Sequence, residues 1–201
     1  MKKILYIKAN IKKDGDSRTF KISDRFVDEY KKNNPDDEVT VLDLYKERIG
    51  FLRPEDLEKL LGEKDDEVRK NSILRYVYQF VDADKYIIAA PMWNLSIPAI
   101  LKAYMDYVCA SGITFKYTEN GPVGLCKGKK AVHIVSRGGN YSEGPAKEYE
   151  MGDRYLRTIF AFFGITDFTT IAADKLDDKS EDVEAILNRA IIRATNVAKE
   201  F

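Results

Sequence analysis

Short apolar runs alternate with stretches whose apolar residues recur every three or four positions, along the whole 201-residue chain. Lys3-Ile4-Leu5-Tyr6-Ile7 reads as a strand of the kind buried on both faces of a parallel sheet. It runs into a polar loop, residues 8–16, and then into Ser17-Arg18-Thr19 at the head of a helix that carries Ile22, Phe26 and Tyr30 at four-residue spacing. Asn34-Pro35 ends that helix, because a residue before proline resists the helical region. Residues 38–44 give the second strand. From Pro54 to about Phe80 come two helical patterns, Leu57-Leu60-Leu61 and then Val68, Ile73, Val77 and Phe80. The break between them lies near Gly62 to Asp65, and the acidic run Glu63 to Glu67 reads as a solvated helix junction.

Tyr86-Ile87-Ile88-Ala89-Ala90 is the third strand, closed by Pro91, which has no ladder donor. After it Ile97, Ile100, Leu101, Tyr104, Met105 and Val108 form one apolar helical stripe, with Pro98 placed in the first turn and Gly112 at the exit. Residues 113–125 read as a loop or small hairpin with Asn120-Gly121 as its turn, longer than a connector requires. Residues 130–136 are the fourth strand. Leu156, Ile159, Phe160 and Phe163 mark the next helix, terminated by Gly164, and residues 168–173 are the fifth strand. A last helix from about Ser180 is expected to bury Val183, Leu187, Ala190, Ile191 and Ala194. Five strands alternating with helices predict a single α/β domain, 1–201, with a doubly wound parallel sheet of order 2-1-3-4-5 and helices on both faces. That order puts the switch point, where such sheets bind ligands, between the first and third strands.

Charge narrows the partners. Lysines and arginines number 33 against 33 aspartates and glutamates, so no long-range field favours nucleic acid or an anionic membrane. No segment approaches the ~20 apolar residues of a membrane span. Cys109 and Cys126 form neither a CxxC pair nor a Cys-x5-Arg loop, which suits a reducing cytoplasm. Catalytic triads, metal-ligating clusters and carboxylate pairs are not evident, nor are the GxGxxG and GxxxxGK[ST] phosphate loops.

Three loops at the carboxyl edge carry the candidate chemistry. Asp16-Ser17-Arg18-Thr19 offers two hydroxyls, a guanidinium and the free N–H groups of a helix start, a site for a phosphate or simply an N-cap. Met92, Trp93, Asn94 and Leu95 set a sulfur, an aromatic and an amide side by side, as a planar heterocycle with a polar rim needs; a capping loop would read the same. Ser136, Arg137, Gly138 and Gly139 follow the fourth strand, and the paired glycines let backbone N–H groups come close to a ligand or merely make a turn. His133, the only histidine, lies inside the fourth strand and is expected to be structural, and Cys109 is expected to be inert.

Ala89-Ala90-Pro91-Met92-Trp93-Asn94-Leu95, the run from Gly112 to Leu125 and Ser136-Arg137-Gly138-Gly139 together resemble the FMN-dependent NADH-azoreductases, a family with quinone-reducing members and a flavodoxin-like fold. The resemblance spans essentially the whole chain. It implies that Asn10, Ser17, Arg18 and Thr19 hold the phosphate end of FMN, that Met92, Trp93, Asn94 and Leu95 contact the ring, and that Ser136, Arg137, Gly138 and Gly139 meet its pyrimidine side. The family often has a small hydroxyl where Asn10 stands and Gln or His where Arg18 stands. It also implies a homodimer with active sites at the subunit interface, where Trp93, Tyr117 and Phe162 would border the substrate pocket. Phe162 lies off the apolar stripe of its helix, so the core is not expected to explain it. The expected activity is transfer of two electrons from NADH or NADPH to azo dyes and quinones by a ping-pong route. The alternatives are a flavodoxin-type electron carrier, which would tend to be shorter and more acidic, and a flavin-free regulatory domain.

Overall fold

The strands carry apolar side chains on both faces, and each face has its own set of helices. The computed structural model describes residues 1–47, 49–61 and 73–201. Its first half holds β1 (Lys3–Lys8), α1 (Arg18–Asn33), β2 (Glu38–Asp43), α2 (Pro54–Leu61), α3 (Leu74–Asp82), β3 (Lys85–Ala89) and α4 (Ala99–Val108). There follow β4 (Phe115–Thr118), β5 (Gly121–Gly124), β6 (Lys130–Ser136), a 3-10 turn (Pro145–Tyr149), α5 (Gly152–Phe162), β7 (Asp167–Ala173) and α6 (Val183–Glu200).

Five parallel strands run in the order β2-β1-β3-β6-β7, which is the expected 2-1-3-4-5 once the separate β4–β5 hairpin is left out of the count. Ile4 and Tyr6 of β1, Ile87 of β3 and Ile134 of β6 face the core under α1 and α6. Their neighbours Leu5, Ile7, Tyr86, Ile88 and Ala131 face the core under α3, α4 and α5. This is the period-2 consequence of burying a strand twice. In register, Lys8 lies beside Ala89, and Ala89 beside Ile134, so β1, β3 and β6 release their loops at one edge.

The last helix buries Ile186, Ala190, Ala194 and Ala198, while Val183, Leu187 and Ile191 pack half-buried at its flanks. Phe201 just beyond it sets its ring edge-on to Phe26 and Tyr30, with centroids 5.3 and 6.0 Å apart.

Several local expectations shift. Val68, the Gly62 to Asp65 break and the acidic run to Glu67 lie outside the described residues. Pro98 is the N-cap of α4, one step ahead of its first turn, and α4 stops at Val108. The buried Thr114 hydroxyl donates to the Val108 carbonyl (2.8 Å) and accepts from Ala110 N–H (3.0 Å), taking up groups the helix leaves free, and Gly112 (φ 81°) turns the chain only afterwards. In the hairpin the corner residues are Glu119 and Asn120; Gly121, at φ 101°, opens the return strand. A turn followed by a left-handed glycine replaces the expected Asn-Gly corner.

The base of that hairpin is seated on the end of α5. A Cβ on Gly124 would lie 2.2 Å from Gly164 N and from Phe163 C, backbone that cannot step aside. Cys126 N–H donates to the Phe163 carbonyl at 2.8 Å, and Gly164 (φ 93°) ends the helix as expected. Gly124→Ala is therefore expected to destabilise the protein by roughly 1–3 kcal/mol or more, read as a lowered urea midpoint.

His133 is buried within β6, and its Nδ1 is 2.9 Å from Asp153 Oδ1 at the start of α5. Thr170 Oγ1 donates to the same carboxylate at 2.6 Å, and Arg157 Nη2 stands 3.4 Å from Asp153 Oδ2. Burial pushes the Asp153 carboxyl up, but its hydrogen bonds to His133 and Thr170 and the Arg157 guanidinium outweigh this and hold it far below the usual carboxylate range. A carboxylate depressed in the folded state stabilises above its unfolded value, about 3.9, and that contribution is lost as pH falls towards the folded value. Asp153→Asn should lower stability at neutral pH and flatten the loss of stability below about pH 4, seen in thermal melts run from pH 7 to pH 2.

Candidate active site

The first loop is organised by buried polar groups. Lys8, at the end of β1, is 6% exposed and lies 2.5 Å from Asp14 Oδ1 and 3.3 Å from Asp24 Oδ1, which draws the loop back over the strand end. The hydrogen bond from Lys8 also holds the Asp14 carboxyl below its ordinary value. Ser17 caps α1: its side chain accepts from Phe20 N–H at 3.1 Å and from Asn10 Nδ2 at 2.8 Å. With no acidic residue in the first turn of α1, the N–H groups of Arg18 and Thr19 form an uncompensated positive end that suits an anion.

The second loop is strained. Trp93 and Ser96 exchange two backbone hydrogen bonds (2.9 and 3.0 Å), so Asn94 and Leu95 form a two-residue corner at φ 48° and 70°. Asparagine visits this left-handed region readily, whereas a leucine there costs about 1–2 kcal/mol. The corner is held in place by Met92 N–H donating to the Ser136 carbonyl (3.0 Å) and Met151 N–H donating to the Leu95 carbonyl (2.9 Å). Strain retained in this way is characteristic of ligand-binding turns.

The third loop is clamped by the segment after β7. Lys175, Leu176 and Asp177 donate their N–H groups to the carbonyls of Gly139, Arg137 and Gly138 at 2.9, 3.1 and 3.0 Å. Ser136 Oγ meets Thr19 Oγ1 at 2.6 Å and ties this loop to α1. The Arg137 side chain is buried and turned to Glu150 Oε1 (3.3 Å) and Asp174 Oδ1 (3.4 Å), and its N–H donates to the Ala173 carbonyl at 2.8 Å, so Arg137 braces the loop.

Asn10, Arg18, Met92, Trp93, Ser136, Arg137 and Gly138 line one cleft at the carboxyl edge, joined by Lys12, Pro91, Leu176 and Asp177. Ser17 and Thr19 are fully buried behind it and shape its wall, and Asn94, Leu95 and Gly139 stand beside it. Tyr117 and Phe162 do not line it. Tyr117 is 72% exposed on the hairpin, and Phe115 packs between it (5.4 Å between centroids) and Phe162 (4.6 Å). Phe162 is thus half-buried at the fringe of the core, contrary to the expectation that the core would not explain it. Cys109 and Cys126 are free, and burial pushes both thiols up, away from the nucleophilic form.

Nothing in the hydrophobic pattern singled out Asp177, whose carboxylate reaches Arg18 Nη1 at 2.7 Å. Its one signal was position: it follows the fifth strand at the ligand-binding edge.

The fold order, the edge cleft and the helix start can be compared with known proteins. The family model described as having a flavodoxin-like fold matches residues 2–197. The chain belongs to this flavodoxin-like family. It is 67% identical, over the full length of both chains, to a Clostridium perfringens protein named FMN-dependent NADH:quinone oxidoreductase. Among solved structures, an azoreductase from Bacillus anthracis superposes with TM-score 0.91 at 36% identity over 100% of both chains. An FMN-dependent NADH-azoreductase from the same species, solved in complex with FMN, gives TM-score 0.90 at 29% identity, covering 100% of this chain and 99% of the other.

The donors present in this family member suit a flavin monophosphate. An unneutralised helix start with Arg18 beside it matches a phosphate, a half-buried Trp93 beside Met92 offers a flat apolar face, and the Gly138 backbone forms part of the cleft wall. Leu95→Gly should raise the stability of the flavin-free protein by about 1 kcal/mol by relieving the corner, measured by urea denaturation; an unchanged or lowered midpoint would mean that the leucine side chain outweighs its strain.

Proposed function

We propose that the protein is an FMN-dependent NADH oxidoreductase that reduces quinones and azo compounds. The observation that carries this reading is the cleft itself, in which a cationic helix start, a flat aromatic floor and a glycine loop converge at the switch point between β1 and β3. The names of the 67% identical relative and of the superposing azoreductases support the donor and the acceptors. When bound, FMN supplies the exchange of two electrons between NADH and the acceptor.

The chain's own residues bind and orient. Asn10, the Arg18 guanidinium and the first-turn N–H groups of Arg18 and Thr19, with Ser17 as the cap behind them, hold the phosphate. Met92, Trp93, Asn94 and Leu95 support the ring, with the strained corner keeping it at a fixed distance from Ser136. Ser136, Arg137, Gly138 and Gly139 meet the ring's pyrimidine edge, where negative charge gathers on reduction; the Arg137 N–H is bonded to the Ala173 carbonyl, and the glycine N–H groups are the donors of the set. No side chain need act as nucleophile or general base.

The protein acts as a homodimer in this reading, with Tyr117 and Phe162 bordering the substrate space at the interface. Support comes from the large apolar side chains left exposed on one protomer, among them Leu95 (41%), Met151 (47%), Tyr149 (60%) and Tyr117 (72%). Among the described residues no helix is long and apolar enough to cross a membrane. Two free cysteines and dependence on NADH suit a cytoplasmic location.

Purified protein reconstituted with FMN should consume NADH when a quinone or an azo dye is supplied, followed by absorbance; absence of turnover with every acceptor tried would refute the reading. Trp93→Ala should weaken FMN binding by about tenfold through loss of ring contact, with the fold preserved by circular dichroism. Sedimentation of the holoprotein should give a species of twice the chain mass.

A further inference from the structure

Asp177 sits at the cleft with no part yet assigned to it. Its N–H is fixed to the Gly138 carbonyl at 3.0 Å, and its side chain lies over Gly138, where a Cβ would come within 2.5 Å of Oδ2. The absence of a side chain at position 138 thus gives the carboxylate its path to Arg18 Nη1, 2.7 Å away. Both side chains are solvated, 40% exposed for Arg18 and 73% for Asp177. A solvated pair of this kind contributes little to stability, so it holds the guanidinium in place without committing it. A phosphate offers the same guanidinium two parallel hydrogen bonds and nearly twice the charge.

We propose that Asp177 is a resident counter-ion for Arg18 that the phosphate of a flavin displaces, and that this exchange sets how strongly the cleft prefers FMN to riboflavin. The inference rests on the flavin reading above and adds a residue to it. Without ligand, Asp177 keeps the Arg18 fork at the cleft wall and offsets its charge. With ligand, Arg18 turns its donors to the phosphate, and Asp177 is released into water at the rim. Lys12 also lines the cleft and keeps the site cationic, whereas Arg137 is held by Glu150 and Asp174. Riboflavin, which has no phosphate, does not drive the exchange.

The test is titration of full-length apoprotein with FMN and with riboflavin, followed by quenching of flavin fluorescence. It compares the unaltered chain with Asp177→Asn, Arg18→Gln and the double variant, and repeats the series with Asp177→Ser. Either Asp177 variant should tighten FMN binding by roughly two- to fivefold at low salt and leave riboflavin unchanged. The gain should shrink at high salt and largely vanish in the Arg18→Gln background. Weaker FMN binding on loss of the carboxylate would overturn the proposal, because Asp177 would then be positioning Arg18 for the phosphate. An equal change for both flavins, no change for FMN, or a full gain without Arg18 would also overturn it. Unaltered protein that binds neither flavin would instead remove the flavin reading, and this inference with it.

Discussion

The parallel pairing of β3 with β1 on one side and β6 on the other is the constraint on which the rest depends. Central parallel strands have every donor and acceptor committed and both faces buried, so they cannot slide or tilt independently. Here β1 and β3 end in register at Lys8 and Ala89, β6 runs on from Ile134 beside them to Ser136, and the chain must leave the sheet at one edge three times. Residues far apart in sequence, Asn10, Trp93 and Gly138, become neighbours as a result. Right-handed crossovers then put α1 and α6 on one face and α3, α4 and α5 on the other, which closes both cores and leaves that edge open.

What shapes the cleft is a layer of polar contacts just behind its wall. Asn10 bonds Ser17, Thr19 bonds Ser136, and Met92 N–H bonds the Ser136 carbonyl, so the three loops are tied directly to one another. Such satisfied buried networks keep geometry that isolated loops would lose. They also explain how a left-handed Leu95 persists: the turn around it is fixed from both sides. The glycine loop is similarly held by three backbone bonds from the segment after β7, which carries the side chain of Asp177 onto the cleft.

Much of this was legible in the chain. Strand and helix periods gave the element order, the proline and glycine punctuation gave most ends, and the loop motifs gave the location of the cleft. Local features went astray where a distant group intervened. The Thr114 hydroxyl takes up the end of α4 at Val108, ahead of the exit expected at Gly112, and Phe162 is half-buried against Phe115, which belongs to another element. Ser17 and Thr19 carry the hydroxyls expected to face a ligand, yet those side chains are spent on Asn10 and Ser136. Periodicity reports which face of an element is apolar, but not which partner that face meets.

By itself, then, the sequence determined the doubly wound sheet, its order and the edge at which the cleft opens, because hydrophobic period and turn chemistry are local properties written residue by residue. Only the tertiary structure decided which side chains of the marked loops point at the cleft and which brace it. It turned Arg137 inward to Glu150 and Asp174, and brought Asp177 across 159 residues of chain to Arg18. Those outcomes depend on the relative placement of strand ends and on charge partners from other loops, and no local pattern encodes either.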